Sequence, residues 1–184
     1  MSDVVVVDYG AGNTRSVCAA LAKIGRSSVV TSDPEAVRGA DFVVLPGVGS
    51  ARSAMAELDR TGAAQALRER FAGVRPTLGI CLGLQLALEM TEEDGGVTGL
   101  GLLEGRAVRL AGERVPRLGW ALVEPWGEVY YFAHSFAPES PHEVAASEGV
   151  TVAVECDGFL GVQFHPEKSG EAGLNLLDRC LSRA

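Results

Sequence analysis

Thr77-Leu78-Gly79-Ile80-Cys81-Leu82-Gly83-Leu84-Gln85 is a short apolar strand that runs into a cysteine and then into a helical pattern. Glycine stands two residues before the cysteine and two after it, at Gly79 and Gly83. Where a strand turns abruptly into a helix, side chains at those positions would collide, and glycine removes them. The layout is the cysteine counterpart of the G-x-S-x-G nucleophile elbow, which lifts the reactive atom out of an α/β sheet. The helix N-terminus beside it favours thiolate over thiol and so makes the sulfur more nucleophilic. Cysteine is also a common small core residue, but paired glycines at a strand-to-helix switch single this one out.

Upstream lies the sheet that such an elbow requires. Val4–Val7 is an unbroken β-branched run, the mark of a strand buried on both faces. Gly10-Ala11-Gly12-Asn13 turns the chain, and Val17, Leu21 and Ile24 then recur at helical spacing until Gly25 stops the helix. Ser28–Thr31 is a short strand, Asp33 and Pro34 cap and open a helix, and Phe42–Leu45 is a second buried strand. Helical segments cover 50–59 and 61–72 before Thr77–Ile80. This alternation with short connections predicts a parallel sheet wrapped by helices. Beyond the elbow, segments 106–110, 120–124, 129–133, 143–146, 151–155 and 158–163 read as strands joined by tight turns. They predict an antiparallel extension of the same sheet. A last helix over 171–181 places Leu174, Leu177 and Leu181 on one face. With no repeat, low-complexity tract or linker, the expectation is an α/β fold. It has a mostly parallel central sheet flanked by helices, with an antiparallel C-terminal extension, in a single domain, 1–184.

The chain has 184 residues, enough to bury a core, and its hydrophobic content of 47% suits a globular protein. A formal charge of −8 argues against non-specific binding to nucleic acid, which needs basic side chains on the phosphates. No apolar run reaches membrane-spanning length. Met1-Ser2-Asp3-Val4 opens a strand rather than a signal peptide, so a cytoplasmic location is expected. Cys18, Cys81, Cys156 and Cys180 are scattered without a C-x-x-C pair, which weighs against zinc and against a disulfide framework. Cys18, Cys156 and Cys180 read as packing or surface residues.

What the elbow lacks is a base, and Gly161-Val162-Gln163-Phe164-His165-Pro166-Glu167 offers one. Pro166 fixes the backbone after His165, and Glu167 can reach back to one imidazole nitrogen, leaving the other to take the thiol proton. Alone, the histidine would be an ordinary strand-end residue and the glutamate a surface acid; the set gives them their meaning. Leu45-Pro46-Gly47-Val48-Gly49-Ser50 follows a buried strand, where α/β sheets place ligands. As an oxyanion loop it would offer N–H groups from Val48 and Gly49, with the N–H of Leu82 as a second donor; as an ordinary Gly-rich turn it would offer nothing. Gly10-Ala11-Gly12-Asn13 lacks the dinucleotide spacing, because Arg15 stands where a third glycine would be. His134, just past a strand, is a candidate for lining the pocket. His142, in a polar loop, has no expected role.

At these residues the chain resembles the class I, triad-type glutamine amidotransferases. The elbow Gly79-Ile80-Cys81-Leu82-Gly83-Leu84-Gln85, the loop Pro46-Gly47-Val48-Gly49 and the segment from Gly161 to Glu167 carry the likeness. Within that family it is similar to the glutaminase subunits of imidazole glycerol phosphate synthases. Asp8-Tyr9-Gly10-Ala11-Gly12-Asn13, Leu118-Gly119-Trp120 and Tyr131-Phe132-Ala133-His134-Ser135 add to it, as does the run from His165 to Ser169. The resemblance implies Cys81 as nucleophile, His165 as acid/base and Glu167 as its orienter. It implies glutamine contacts at Gln85 and at the backbone near Gly47, Gly49 and Ser135, and His134 joins them as a substrate-binding candidate. No metal and no organic cofactor is implied. The implied partner is a separate (β/α)8-barrel cyclase that receives ammonia and makes imidazole glycerol phosphate. Because a free glutaminase would waste glutamine, the glycines flanking Val48 are expected to let the oxyanion loop become productive only when that loaded cyclase binds. The chain departs from the family pattern at Arg117, Ala121 and Ala137. Rival readings are a glutaminase of another synthase, a non-hydrolysing scaffold subunit and a cysteine peptidase.

Overall fold

The computed structural model describes residues 4–112 and 115–182. Met1-Ser2-Asp3, and both ends of the expected domain 1–184, lie outside the described residues. The first half alternates as its sequence predicts: β1 (Val4–Val7), α1 (Thr14–Lys23), β2 (Ser28–Thr31), α2 (Pro34–Gly39), β3 (Phe42–Leu45), α3 (Ala51–Thr61), α4 (Ala63–Ala72) and β4 (Thr77–Ile80). Asp33 caps α2 by accepting from the Glu35 N–H, with Pro34 at the first helical position. Gly62, at φ +80°, breaks α3 from α4. There follow α5 (Leu82–Ala87), β5 (Leu88–Thr91), β6 (Val97–Thr98), β7 (Leu103–Arg109), β8 (Arg117–Val123) and β9 (Glu128–His134). The chain then runs through β10 (Phe136–Glu139), β11 (Glu143–Ser147), β12 (Val150–Cys156), β13 (Phe159–Val162) and α6 (Gly170–Ser182).

A seven-stranded sheet in the order β11-β12-β13-β4-β3-β1-β2 forms the centre. From β13 to β2 every pair is parallel, and β12 and β11 add antiparallel to that edge. Alternation along β1 splits its valines between two cores. Val5 and Val7 pack with Leu45, Met55, Leu58 and Leu67 against α3 and α4. Val4 and Val6 pack with Val17, Leu21, Leu176 and Leu177 against α1 and α6. Burial of each such side chain contributes roughly 1.5–3 kcal/mol.

The expected antiparallel extension needs correction. Segments 143–146, 151–155 and 158–163 do join the central sheet, as β11, β12 and β13. Segment 106–110 instead belongs to a second, four-stranded sheet, β10-β7-β5-β6, and segments 120–124 and 129–133 form a separate β8-β9 hairpin. Hairpin geometry is local, but which edge a hairpin joins is decided by distant backbone, so sequence period alone does not assign the sheet.

Candidate active site

The site gathers at the carboxyl ends of four parallel strands: β1 leads into Tyr9–Asn13, β3 into Pro46–Ser50, β4 into Cys81 and β13 into Gln163–Glu167. Open α/β sheets bind ligands at this edge. Cys81 stands between β4 and α5 with φ +52° and ψ −106°, a conformation that non-glycine residues rarely adopt and that costs about 1–3 kcal/mol. Its N–H donates to the Val162 carbonyl at 2.7 Å, tying the elbow to β13.

The elbow and the oxyanion loop interlock without room for a methyl group. A Cβ on Gly79 would lie 2.6 Å from Phe159 Cζ and 3.1 Å from the Gly83 oxygen. One on Gly83 would lie 3.0 Å from the Pro46 oxygen and overlap the Leu45 carbonyl. One on Gly47 would lie 2.6 Å from Leu82 Cβ and 2.7 Å from the Ile80 oxygen. The loop is thereby seated directly on Ile80, Leu82 and Gly83. At its root the buried Tyr9 hydroxyl donates to the Pro46 carbonyl. Burial pushes the pKa of that hydroxyl far up, and the charges of Cys81 and Glu93 add to the effect. At its tip Gly49 takes φ +115°, open to glycine and strained for other residues.

His165 is 1% exposed, and its Nδ1 lies 2.8 Å from Glu167 Oε1. A carboxylate accepts, so Nδ1 carries the proton and Nε2 is left for the sulfur. Burial opposes the imidazolium, but hydrogen bonds and charge from Cys81 and Glu167 outweigh it and raise the pKa to about 9. The Glu167 side chain is likewise 1% exposed. Burial works against its charge, and the hydrogen bonds from His165 and Asn13 more than offset it, so its pKa is lowered. The Asn13 amide donates to the same Oε1 at 3.0 Å. Asn13 precedes α1 yet makes no side-chain cap bond to it, so its amide is directed across the site instead. The His165 backbone is fixed on both sides: its N–H donates to the Tyr131 carbonyl at 2.9 Å, and Ser169 Oγ donates to its carbonyl at 2.6 Å while accepting from the Tyr131 N–H at 2.9 Å.

A pocket of about 290 Å³ opens onto Cys81. Val48, Gly49, Leu82, Gln85, His134 and Ser135 all line it, together with Glu93. Gly47 sits buried beneath. The sequence-predicted residues therefore converge, with His165 and Glu167 behind the sulfur rather than in the lining. His134 is the last residue of β9, not just beyond it. Its Nδ1 donates to the Phe136 carbonyl at 2.8 Å, and Nε2 is buried without a partner. Burial chiefly, helped by the positive charge of Arg117 and His165, pushes its pKa down to about 4, so the ring is a neutral acceptor. Tyr9, Asn13 and Gln163 fall in motifs of the sequence without a role that the motif itself reveals, and Glu93 falls in none. Gln163 had a readable signal, since it lies two residues before His165 and so on the same side of an extended chain. Nothing local marks Glu93, and nothing local directs Asn13 to Glu167.

The β8-β9 hairpin shows one apolar face outward: Leu118 is 66% exposed, Trp120 58%, Leu122 48% and Val129 45%. Arg117 and Ala121 alternate to the inward face. Arg117 lies over the Phe132 ring, 4.4 Å from its centre, and donates to Ser147 Oγ at 2.8 Å. Ala137 is buried in β10. Among the described residues no helix is long and apolar enough to cross a membrane.

Residues 5–184 match the family model described as glutamine amidotransferase class-I. The chain is 44% identical over 190 residues to an imidazole glycerol phosphate synthase subunit HisH of Methanothermobacter thermautotrophicus, covering 95% of each chain. It is 45% identical over 198 residues to the HisH subunit of Symbiobacterium thermophilum, covering 96% of this chain and 92% of that one. Among solved structures, a crystal structure of a glutamine amidotransferase superposes with a TM-score of 0.81 at 21% identity, covering 97% of both chains.

Proposed function

Because the chain belongs to the class I glutamine amidotransferases, with HisH subunits as full-length relatives, we propose that it hydrolyses the side-chain amide of glutamine. The ammonia passes to a partner cyclase that makes imidazole glycerol phosphate and an aminoimidazole carboxamide ribotide in histidine biosynthesis. One observation carries the reading: the strained Cys81 faces a pocket lined by the Val48–Gly49 loop and Gln85, with the His165–Glu167 pair held behind it.

In this reading His165 takes the thiol proton and Cys81 attacks the amide carbon. The developing oxyanion is met by the N–H of Leu82 and an N–H of the Val48–Gly49 peptide. His165 returns its proton to the departing ammonia, and water then hydrolyses the glutamyl thioester, with Glu167 holding the imidazole throughout. Gln85, Ser135 and the backbone at Gly47 and Gly49 bind the substrate. His134 offers its unpartnered Nε2 to an amide N–H. Glu93, whose pKa is raised by burial and by Asp94, has an unpartnered carboxylate oxygen and suits the α-ammonium group. A small pocket of this size suits an amino acid rather than a peptide, which disfavours the peptidase reading.

The partner is a (β/α)8-barrel cyclase, bound as a heterodimer against the apolar face of β8 and β9. A monomer has little reason to expose four large apolar side chains side by side. The flexible Gly49 joint lets the oxyanion peptide settle into its productive orientation only when the loaded cyclase binds. Residues 1–184 act as one amidotransferase domain, and a cytoplasmic location fits a biosynthetic role of this kind.

The test is glutamate release, measured for the chain alone and with the barrel cyclase and its nucleotide ligand. Strong activation by the loaded cyclase is expected, and Cys81→Ala should lose ~10⁴-fold or more. Undiminished turnover by Cys81→Ala would refute the chemistry, and indifference to the cyclase would assign the subunit to another synthase.

A further inference from the structure

Gln163 has no task in the reaction just described, yet it touches the nucleophile. It follows β13, and the parallel register that pairs Gly161 with Gly79 and Val162 with Ile80 sets it beside Cys81. The side chain is fully buried. Its Nε2 donates to Cys81 Sγ at 3.5 Å, and its Oε1 accepts from Gln85 Nε2 at 3.3 Å. Gln85 Nε2 also lies 3.4 Å from the Phe136 carbonyl. A carboxamide cannot titrate and its two ends differ in polarity. With Oε1 occupied by an N–H donor, the end facing sulfur is a donor by necessity.

We propose that Gln163 is a positioning residue for the nucleophile: Gln85 fixes its carboxamide so that an N–H points at Cys81 Sγ and holds the sulfur in place. This rests on the glutaminase reading and adds a link between the group that contacts substrate and the group that attacks it. A neutral donor suits the role. A cation there would compete with His165 for the sulfur, and a hydroxyl at this distance would fall short.

The experiment compares wild type with Gln163→Leu and Gln163→Met, which keep bulk and remove the donor. Alkylation by iodoacetamide is followed across pH at Cys81 itself, by mass spectrometry of its peptide, because Cys18, Cys156 and Cys180 are partly exposed. Loss of the hydrogen bond that holds the sulfur should lower the alkylation rate at Cys81 about tenfold across the profile, and kcat with the cyclase should fall about tenfold. A packing role alone would change the melting temperature and leave the alkylation profile in place. Superimposed profiles in a folded variant would overturn the proposal, as would loss of folding in both variants, which would make Gln163 a core residue only. The parent reading stands or falls separately, on glutamate release by Cys81→Ala.

Discussion

Gly47→Ala adds one methyl group at the seam between the oxyanion loop and the elbow. That methyl would lie 2.6 Å from Leu82 Cβ and 2.7 Å from the Ile80 oxygen, and would overlap the Gly83 nitrogen. Carbon atoms in contact rest about 3.5–4.0 Å apart, so the loop must rise from the elbow by about 1 Å. None of the three obstacles is the end of a flexible side chain, so the shift falls on the backbone that carries the oxyanion donors. Overpacking of this kind costs about 1–3 kcal/mol, and a misplacement of about 1 Å can cost ~10²-fold in rate. The assay is glutamate release by the cyclase complex beside thermal unfolding of the chain. Gly39→Ala is the control, because a Cβ there meets nothing within 4 Å and Gly39 ends α2. That control should be neutral or slightly stabilising. A Gly47→Ala protein with wild-type kcat/KM and melting temperature would show that the loop does not depend on its contact with the elbow.

Other outcomes follow from the same site. Asn13→Ala removes one of two donors to Glu167 Oε1. It should lower kcat about tenfold with little change in KM for glutamine, since a hydrogen bond to a charged group is worth about 1.5–3 kcal/mol; steady-state kinetics of the complex would detect an unchanged kcat and refute it. His134 makes the fold acid-sensitive. The unfolded chain takes up its proton near the ordinary 6.5, while the folded ring refuses it until about 4. Its contribution is therefore complete above pH 6.5 and drains as pH falls toward 4, to a total of about 3 kcal/mol. His134→Phe should flatten the fall of melting temperature over that window, and an unchanged slope would exclude this source. His165 acts in the opposite sense, because its pKa is raised to about 9. Its contribution is present below pH 6.5 and is lost as pH rises through about 9, so His165→Gln should be less sensitive to alkali than wild type when the same melts are run upward in pH.

The second half of the chain shows how far local pattern reaches. Leu84-Gln85-Leu86-Ala87-Leu88-Glu89-Met90 has no glycine or proline to end a helix, yet α5 stops at Ala87 and β5 begins at Leu88. Distant N–H groups end it: Leu100 donates to the Leu86 carbonyl at 2.7 Å, Leu102 to Ala87 at 2.8 Å and Gly101 to Leu88 at 3.1 Å. Those carbonyls are taken by residues more than a dozen positions away, and no window of local sequence contains that competition. The strands Val97–Thr98 and Phe136–Glu139 escaped for the same reason, being defined by β5 and β7 rather than by their own period.

By itself the sequence determined the alternating first half, the elbow at Cys81 and the identity of the triad candidates. Each of these is written in residues that touch or nearly touch along the chain: β-branched runs, glycines flanking a cysteine, and a histidine two residues from its carboxylate. Only the tertiary structure decided that Asn13 serves Glu167 instead of capping α1, that Gln163 faces the sulfur, that Glu93 enters the pocket, and that Arg117 turns inward onto Phe132. Arg117 and Phe132 are 15 positions apart and Asn13 and Glu167 are 154 apart. They are set by strand register and by the competition of buried polar groups for partners, which exist only once the sheet has closed around them.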